Sequence, residues 1–438
     1  MTENPNAESG MNPEDFERFM KEFLAGRGMD ADKLAESAGL PTDPAQLAQM
    51  INQIKAAMGN LGDGATGVNW QLAEKQAREI ARAESKQITD EQRKLIGDAI
   101  LIGALWLNEV TQISDLSNDP KLLTRDLWVA DALPLFQSLS QPVAERMSDA
   151  LTENMKANAP EELATILGDA GGLMRSAGGA LFAMQLGQAL GKLSAEVLTG
   201  GDIGLPIFKD QRAAFVPQNL DAFVSGLDLE VDQAYIYLAI REMAHARLFK
   251  HSKWLRDAIV LQISEYAGGI KIDNSRITEM AEDFDPGNTD AIREALESGA
   301  FIAERTPEQL LALARIETTL ALIEGWVDVV TEEATVRLPK AAAIAEAVRR
   351  RRATGGPAEV TFGTLIGLEL RPRRLREAAA MWREIARATS ADLRDSLWNH
   401  PDLLPTAEDI NEPSKLIAKL NGGAGDDLDQ ALRDLLGE

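Results

Sequence analysis

Helical periodicity dominates residues 67–400 of the chain. Apolar side chains recur every three or four positions, and several of these segments start near a Ser, Thr or Asp that can cap a helix. Strand signals are few, and the stretch AAFVPQN (213–219) favours a short edge strand. The pattern therefore predicts a mainly α fold, a multi-helix body with at most a small β-sheet. Within it, we expect the helices at 232–251 and 307–335 to pack against each other.

The pattern changes on both sides of this body. Residues 1–66 are acidic and punctuated by Gly, Pro and Asn around short amphipathic pieces, which predicts loosely attached helices. Residues 401–438 are again acidic and Gly-punctuated, which is typical of a short helix or a tail. The sequence thus predicts three parts, 1–66, 67–400 and 401–438.

Composition and charge exclude several classes of function. The net charge of −24 argues against binding to nucleic acid or to an anionic membrane, since both need positive fields. The absence of cysteine removes disulfides, thiolate nucleophiles and cysteine zinc sites. The apolar stretch at 177–193 is short and interrupted by polar residues, so no membrane span is expected. Because MTENPNAESGMNPEDF lacks the features of a signal peptide, we expect a cytoplasmic protein.

A basic segment at 337–376 stands out from this acidic composition. It carries 10 Arg or Lys against 3 Glu and includes the run RRRR (349–352). Without interleaved aromatic residues, it does not indicate nucleic-acid binding. It is compatible with a solvated helix end, with self-association, or with docking of the acidic termini.

The helix AIREMAHARLFKH (239–251) holds the first candidate site. Glu242 and His245 share one face of it. With a histidine at 241 this would be H-E-x-x-H, in which two histidines bind zinc and the Glu takes a proton from the metal-bound water. The chain has Arg241 there, and a guanidinium has no lone pair for a metal. The remaining E-x-x-H is also typical of an ordinary helix.

A second helix, RIETTLALIEGWVDVV, carries three acids along one line. Glu317, Glu324 and Asp328 lie at i, i+7 and i+11, beside an apolar stripe. Carboxylates at the margin of a buried face need a cation, and either a metal or Arg241 would serve. A partly solvated acidic edge or an internal salt-bridge network explains the same pattern.

The other histidines offer little to this site. His251 lies on a different face of the helix from His245, so it does not replace a ligand at 241. His400 precedes a proline in a turn, where a structural role is typical.

Four segments carry a resemblance to a known family: REMAHARLF, TPEQLLALARIETTLALIEGWVD, TFGTLIGLELRPRRLREAAAMW and RDSLWNHPDLLPTAEDINEP. Over residues 67–415 the chain resembles the actinobacterial zincin-like metallopeptidases, in a branch with R-E-x-x-H in place of H-E-x-x-H. Members are described as hydrolases or zinc-dependent metalloproteases. The resemblance implies a helical, zincin-like body in which Glu242 matches the catalytic base, and His245 and Glu324 match metal ligands.

Two functions follow from these observations. In the first, Arg241 pairs with Glu324 or Asp328 where a metal would bind. The protein is then a metal-free or weakly metal-binding pseudo-metallopeptidase, a scaffold for a protein or peptide partner with no cofactor. In the alternative, the protein is a zinc-dependent metallopeptidase with Glu242 as general base.

Overall fold

The computed structural model describes most of the chain outside its two ends. The described residues are 68–158, 179–180, 182–227, 230–270, 305–353 and 373–422. The predicted helices at 1–66 and the end of the chain beyond residue 422 lie outside them.

Helices account for most of the described residues, which confirms the mainly α prediction. In chain order they are α1 (Trp70–Ala83), α2 (Asp90–Leu107), α3 (Arg125–Asn158), α4 (182–194), α5 (Pro217–Ser225), α6 (Val231–His251), α7 (Trp254–Gly268), α8 (Pro307–Ala334), α9 (Ala341–Ala353), α10 (Leu375–Ala388), α11 (Ala391–Ser396), α12 (Ala407–Asn411) and α13 (Pro413–Asn421), with a 3-10 turn at Pro401–Leu403 before α12. None of the helices within these ranges is long and apolar enough to cross a membrane.

The described sheet is small and has two parallel strands, β1 (Lys121–Leu122) and β2 (Ala214–Phe215). On its other side, β2 forms an antiparallel bridge from Phe215 to Thr199. The strand predicted within 213–219 is therefore present, but it is paired on both sides and is not an edge. It ends where Pro217 begins α5, because proline is well suited to the first turn of a helix.

The chain divides into two compact units. The first comprises Met1–Ala73, Ser140–Gln185 and Ala267–Thr306, and the second comprises Glu74–Leu139, Leu186–Tyr266 and Pro307–Glu438. In the first unit, the rings of Trp70 and Phe182 meet edge to face with centroids 6.4 Å apart. The second unit contains all the candidate site residues.

Helix α6 is the centre of the second unit. Every residue from Tyr237 to Phe249 is buried, so this part of the helix is enclosed by protein on all sides. It packs against α2 and α8. The contact with α2 is very close at Gly103, where a β-carbon would lie 2.6 Å from the Met243 side chain. The predicted packing of the two long helices is thus confirmed.

Helix α8 is buried in the same way from Thr319 to Thr331. It packs against α10 as well as α6. At Gly325 a β-carbon would lie 2.8 Å from the backbone of Ala379, so the absence of a side chain lets the two helices approach closely. Where the buried stretches of the two helices meet, α8 presents charged groups to α6.

Candidate functional site

The two central helices carry most of the predicted site residues. Helix α6 contributes Arg241, Glu242 and His245, and α8 contributes Glu324 and Asp328; all five side chains are buried. Buried charged groups lose their hydration, so each needs a partner inside the protein.

Arg241 forms a buried ion pair with Glu324. Its Nη2 donates to Oε2 of Glu324 at 2.5 Å, and its Nη1 lies 3.8 Å from Oδ1 of Asp328. Arg241 is 8% exposed and Glu324 is 1% exposed. The guanidinium therefore neutralises the charge of Glu324 directly. It also lies close enough to Asp328 to attract the carboxylate of that residue.

His245 lies against both members of this pair. Its Nδ1 is 3.1 Å from the backbone oxygen of Arg241, and its Nε2 is 3.0 Å from Oε1 of Glu324. Both oxygens accept hydrogen bonds, so each ring nitrogen faces an acceptor. Both contacts are hydrogen bonds only if each ring nitrogen carries a proton, or if the Glu324 carboxyl supplies one. In this geometry, the Nε2 atom that a metal would bind faces a carboxylate oxygen instead.

Glu242 points away from Arg241 toward the small sheet. Its Oε2 accepts a hydrogen bond from the Gly201 amide at 2.7 Å, and its Oε1 accepts one from the Ala214 amide at 2.8 Å. Burial raises the pKa of the Glu242 carboxyl to about 7, although these two amides and the Thr199 hydroxyl favour the ionised form. Glu242 thus joins α6 to two backbone segments.

Two consecutive glycines allow this close packing. A β-carbon on Gly201 would lie 2.7 Å from Cβ and Cγ of His245, and one on Gly200 would lie 2.8 Å from Oε1 of Glu242. The sequence reading missed both residues. The segment TGGD (199–202) is the signal that could have found them, because its adjacent glycines permit a close approach of backbone to side chains.

A small pocket that opens to solvent lies beside Glu242 and His245. Its walls are largely apolar, and they include Leu205, Pro206, Ile207, Phe208, Ala246 and Phe249. The pocket therefore offers apolar surface next to two ionisable groups.

The arginine run of α9 also reaches the site, which sequence reasoning did not predict. Arg349 donates to Oδ2 of Asp328 at 2.8 Å. Arg351 donates to both carboxylate oxygens of Asp202, at 2.9 and 2.8 Å. In the described part of the basic segment, these arginines thus bind acids of the folded body.

The other predicted residues lie outside this network. Glu317 forms an ion pair with Arg373 at 3.5 Å instead of joining Arg241. His251 contacts Asn399 at 2.7 Å. His400 caps the 3-10 turn by accepting from the Asp402 amide, so its role there is structural.

The donor groups at the site do not fit a catalytic zinc ion. Such an ion normally takes three protein ligands and a water. Of the predicted ligands, the site brings together His245 and Glu324, and Arg241 engages the Glu324 carboxylate. Across the described ranges, no three His, Cys, Asp or Glu residues are grouped so that they could hold a metal.

Comparison with known proteins supplies two further findings. The profile of the zincin-like metallopeptidase family matches residues 68–417. A solved structure from Chloroflexus aurantiacus, described as a candidate hydrolase with a novel fold, aligns with a TM-score of 0.57 and 18% identity. That alignment covers 82% of this chain and 100% of the other, and it shows a shared fold. No curated protein matches the chain.

Proposed function

This chain belongs to the zincin-like metallopeptidase family, and from that premise we propose that it is a pseudo-metallopeptidase in which Arg241 takes the place of a metal. It binds metal weakly or not at all, and it acts as a scaffold for a protein or peptide partner. No cofactor is required for this role.

The observation that carries the proposal is the ion pair of Arg241 with Glu324. In the family pattern, residue 241 would be a histidine ligand and Glu324 would bind the same ion. A guanidinium stays protonated and has no lone pair, so it repels a cation and satisfies the carboxylate. The proposal follows because Arg241 stands where the family pattern has a histidine ligand and also neutralises Glu324, the second ligand.

The orientation of Glu242 also supports the proposal. A general base needs a lone pair directed at the proton that it removes. Each oxygen of Glu242 accepts a hydrogen bond from a backbone amide, of Gly201 or of Ala214. These bonds give Glu242 a structural role that does not depend on catalysis.

The pocket beside His245 supports binding of a partner. Its walls present apolar surface at the mouth of the site, and covering that surface with an apolar side chain of a partner would be favourable. The partner remains a prediction, as do cytoplasmic location, the lack of nucleic-acid binding, and self-association or docking of the acidic termini on the segment 337–376.

The second candidate is a zinc-dependent metallopeptidase. The family name favours it, and so does the description of the structural neighbour as a candidate hydrolase. It requires Arg241 to leave Glu324 and a third ligand to join His245.

Metal analysis of the purified, full-length protein tests the proposal. We expect substoichiometric zinc after exposure to excess zinc and gel filtration, and an unfolding temperature that a strong chelator leaves unchanged. About one zinc per chain, lost on chelation together with a peptidase activity, would overturn the proposal in favour of the enzyme.

A further inference from the structure

The run RRRR in α9 forms ion pairs that its sequence does not suggest. Two of its arginines bind acids beside the candidate site, the buried Asp328 and the partly buried Asp202, while the arginine between them does not. Arg349 and Arg351 are two residues apart, so their side chains leave the helix in divergent directions. Arg350 pairs with Glu346 of its own helix and is largely exposed.

Arg349 acts on the α8 side of the site. Asp328 is 4% exposed and lies one helical turn after Glu324. Its Oδ2 accepts from Arg349 at 2.8 Å, while its Oδ1 lies 3.8 Å from Arg241. Two buried carboxylates therefore face one guanidinium, and Arg349 neutralises the second. Without Arg349, Asp328 would compete with Glu324 for Arg241.

Arg351 acts on the loop side. It binds both oxygens of Asp202 and also donates to the backbone oxygen of Glu196. Asp202 in turn accepts from the Leu198 amide at 2.9 Å. These bonds fix the turn at 199–202, whose Gly201 donates to Glu242 and packs against His245.

From these contacts we propose that Arg349 and Arg351 are positioning residues. Arg349 determines that Glu324, and not Asp328, holds Arg241. Arg351 holds the Gly201 turn against Glu242 and His245. The inference deepens the proposed function, because it names what keeps the Arg241 side chain in the place of a metal.

The test uses three matched variants of the full-length protein, Arg349→Met, Arg351→Met and Arg350→Met. Each removes one guanidinium from the same helix and keeps an unbranched side chain. Two NMR markers are followed in each variant: the side-chain signals of Arg241, assigned with Arg241→Lys, and the hydrogen exchange of the Gly201 amide.

The expected result is a separation of the two markers. Arg349→Met should shift the Arg241 signals and leave Gly201 exchange within about twofold of wild type. Arg351→Met should speed Gly201 exchange by about tenfold, since the bond from this amide to the Glu242 carboxyl is loosened, and leave the Arg241 signals in place. Arg350→Met should change neither marker. A residue that only adds stability would move both markers together or neither.

Conservative variants sharpen the test. Arg349→Lys should restore the Arg241 signals, because the Asp328 contact needs one donor, whereas Arg351→Lys should restore Gly201 exchange only in part, because it lacks the second nitrogen that donates to the Glu196 backbone oxygen. If Arg351→Met does not fold, Asp202→Asn reports on the same contact from its other end.

The proposal is overturned if Arg350→Met changes the markers as much as its neighbours do, or if Arg349→Met and Arg351→Met leave them unchanged. The Gly201 marker reports a hydrogen bond to Glu242 and does not depend on the Arg241–Glu324 pair. It therefore remains readable if metal analysis finds zinc and the proposed function fails.

Discussion

Nη2 of Arg241 lies 2.5 Å from Oε2 of Glu324, although the two residues are 83 positions apart in the chain. Ion pairs buried this deeply add little net stability over an apolar pair, because both charges lose their hydration. Removing one partner is different, since it leaves the other charge buried alone. Losing either residue alone should therefore lower the stability of the fold.

Replacing Arg241 with alanine should destabilise the protein strongly. The variant leaves the buried Glu324 carboxylate without its guanidinium and removes a positive charge from beside Asp328. We therefore expect a loss of about 3–5 kcal/mol in the free energy of unfolding. Denaturant titration of wild type and variant measures this loss. As a control, Arg350→Ala removes an exposed arginine and should cost less than about 1 kcal/mol.

A double-mutant cycle tests whether this loss comes from the pair. Adding Glu324→Gln to Arg241→Ala removes the stranded charge, so the second change should cost less than it does in wild type. Equal costs in the two backgrounds would contradict the assignment of Glu324 as the partner.

Replacing Arg241 with histidine should create a zinc site. The variant presents imidazoles at 241 and 245 on one face of α6, with the Glu324 carboxylate opposite, which supplies the three ligands that a catalytic zinc needs. We expect about one zinc per chain and an unfolding temperature that falls on chelation. The control variant, Arg241→His with Glu324→Gln, lacks one ligand and should bind zinc much more weakly. Equal zinc uptake by both variants would show that the ion binds elsewhere.

Replacing Gly201 with alanine should disturb the contact between the loop and α6. The added carbon would lie 2.7 Å from Cβ and Cγ of His245, so one of the two backbones must shift. We expect a loss of about 1–3 kcal/mol in the free energy of unfolding. Gly97→Ala is the matched control, because a β-carbon at this position in α2 meets no atom within 4 Å. It should stabilise the helix by roughly 0.5–1 kcal/mol. Similar losses in both variants would argue against the contact with His245.

Glu242 should make stability depend on pH with a definite sign. Burial raises its pKa from 4.5 to about 7, so between these values the folded state binds more protons than the unfolded state. The stability that neutral Glu242 contributes is therefore present below pH 4.5 and is lost as the pH rises through about 7. Unfolding free energies of wild type and Glu242→Gln should be compared across this window. The wild type should lose on the order of 3 kcal/mol relative to the variant. A difference that is constant, or that grows in favour of wild type as pH rises, would contradict the shift.

Much of the fold could be predicted from local pattern. The periodicity within 232–251 and 307–335 identified α6 and α8, and the stretch around Phe215 identified β2. Both predictions depend on spacing over a few residues, which helix and strand geometry determines. The second pairing of β2 with Thr199 could not be predicted in this way, because it depends on how distant segments meet.

The candidate site, like the fold, has a part that local pattern predicts and a part that only the tertiary structure reveals. The pairing of Arg241 with an acid of α8 is foreseeable, since a buried arginine and a buried glutamate need each other. Glu317 shows the limit of this argument. It shares a line with Glu324, but it lies seven residues earlier, about 10 Å along the helix axis, and pairs with Arg373.

The partners of Glu242 and Arg351 could not be identified from local sequence, since TGGD (199–202) indicates a close approach but not which helix makes it. Glu242 binds amides 41 and 28 residues away, and Arg351 binds an acid 149 residues away. Helical spacing does not encode which backbone segment passes beside a helix. Only the tertiary fold identifies these partners.

The place of Arg241 on the buried face of α6 also bears on the evolution of this protein. Some arginine codons become histidine codons through one base change, so a metal-binding and a metal-free form of the site can be neighbours in sequence space. Such a substitution needs one base change but has a large effect, because the charge of the side chain and the partner of Glu324 change together. Selection on a lineage carrying this arginine would therefore act on Arg241 and its surrounding acids as a unit. Glu324, Asp328 and Arg349 should then persist or be replaced together when orthologues are compared.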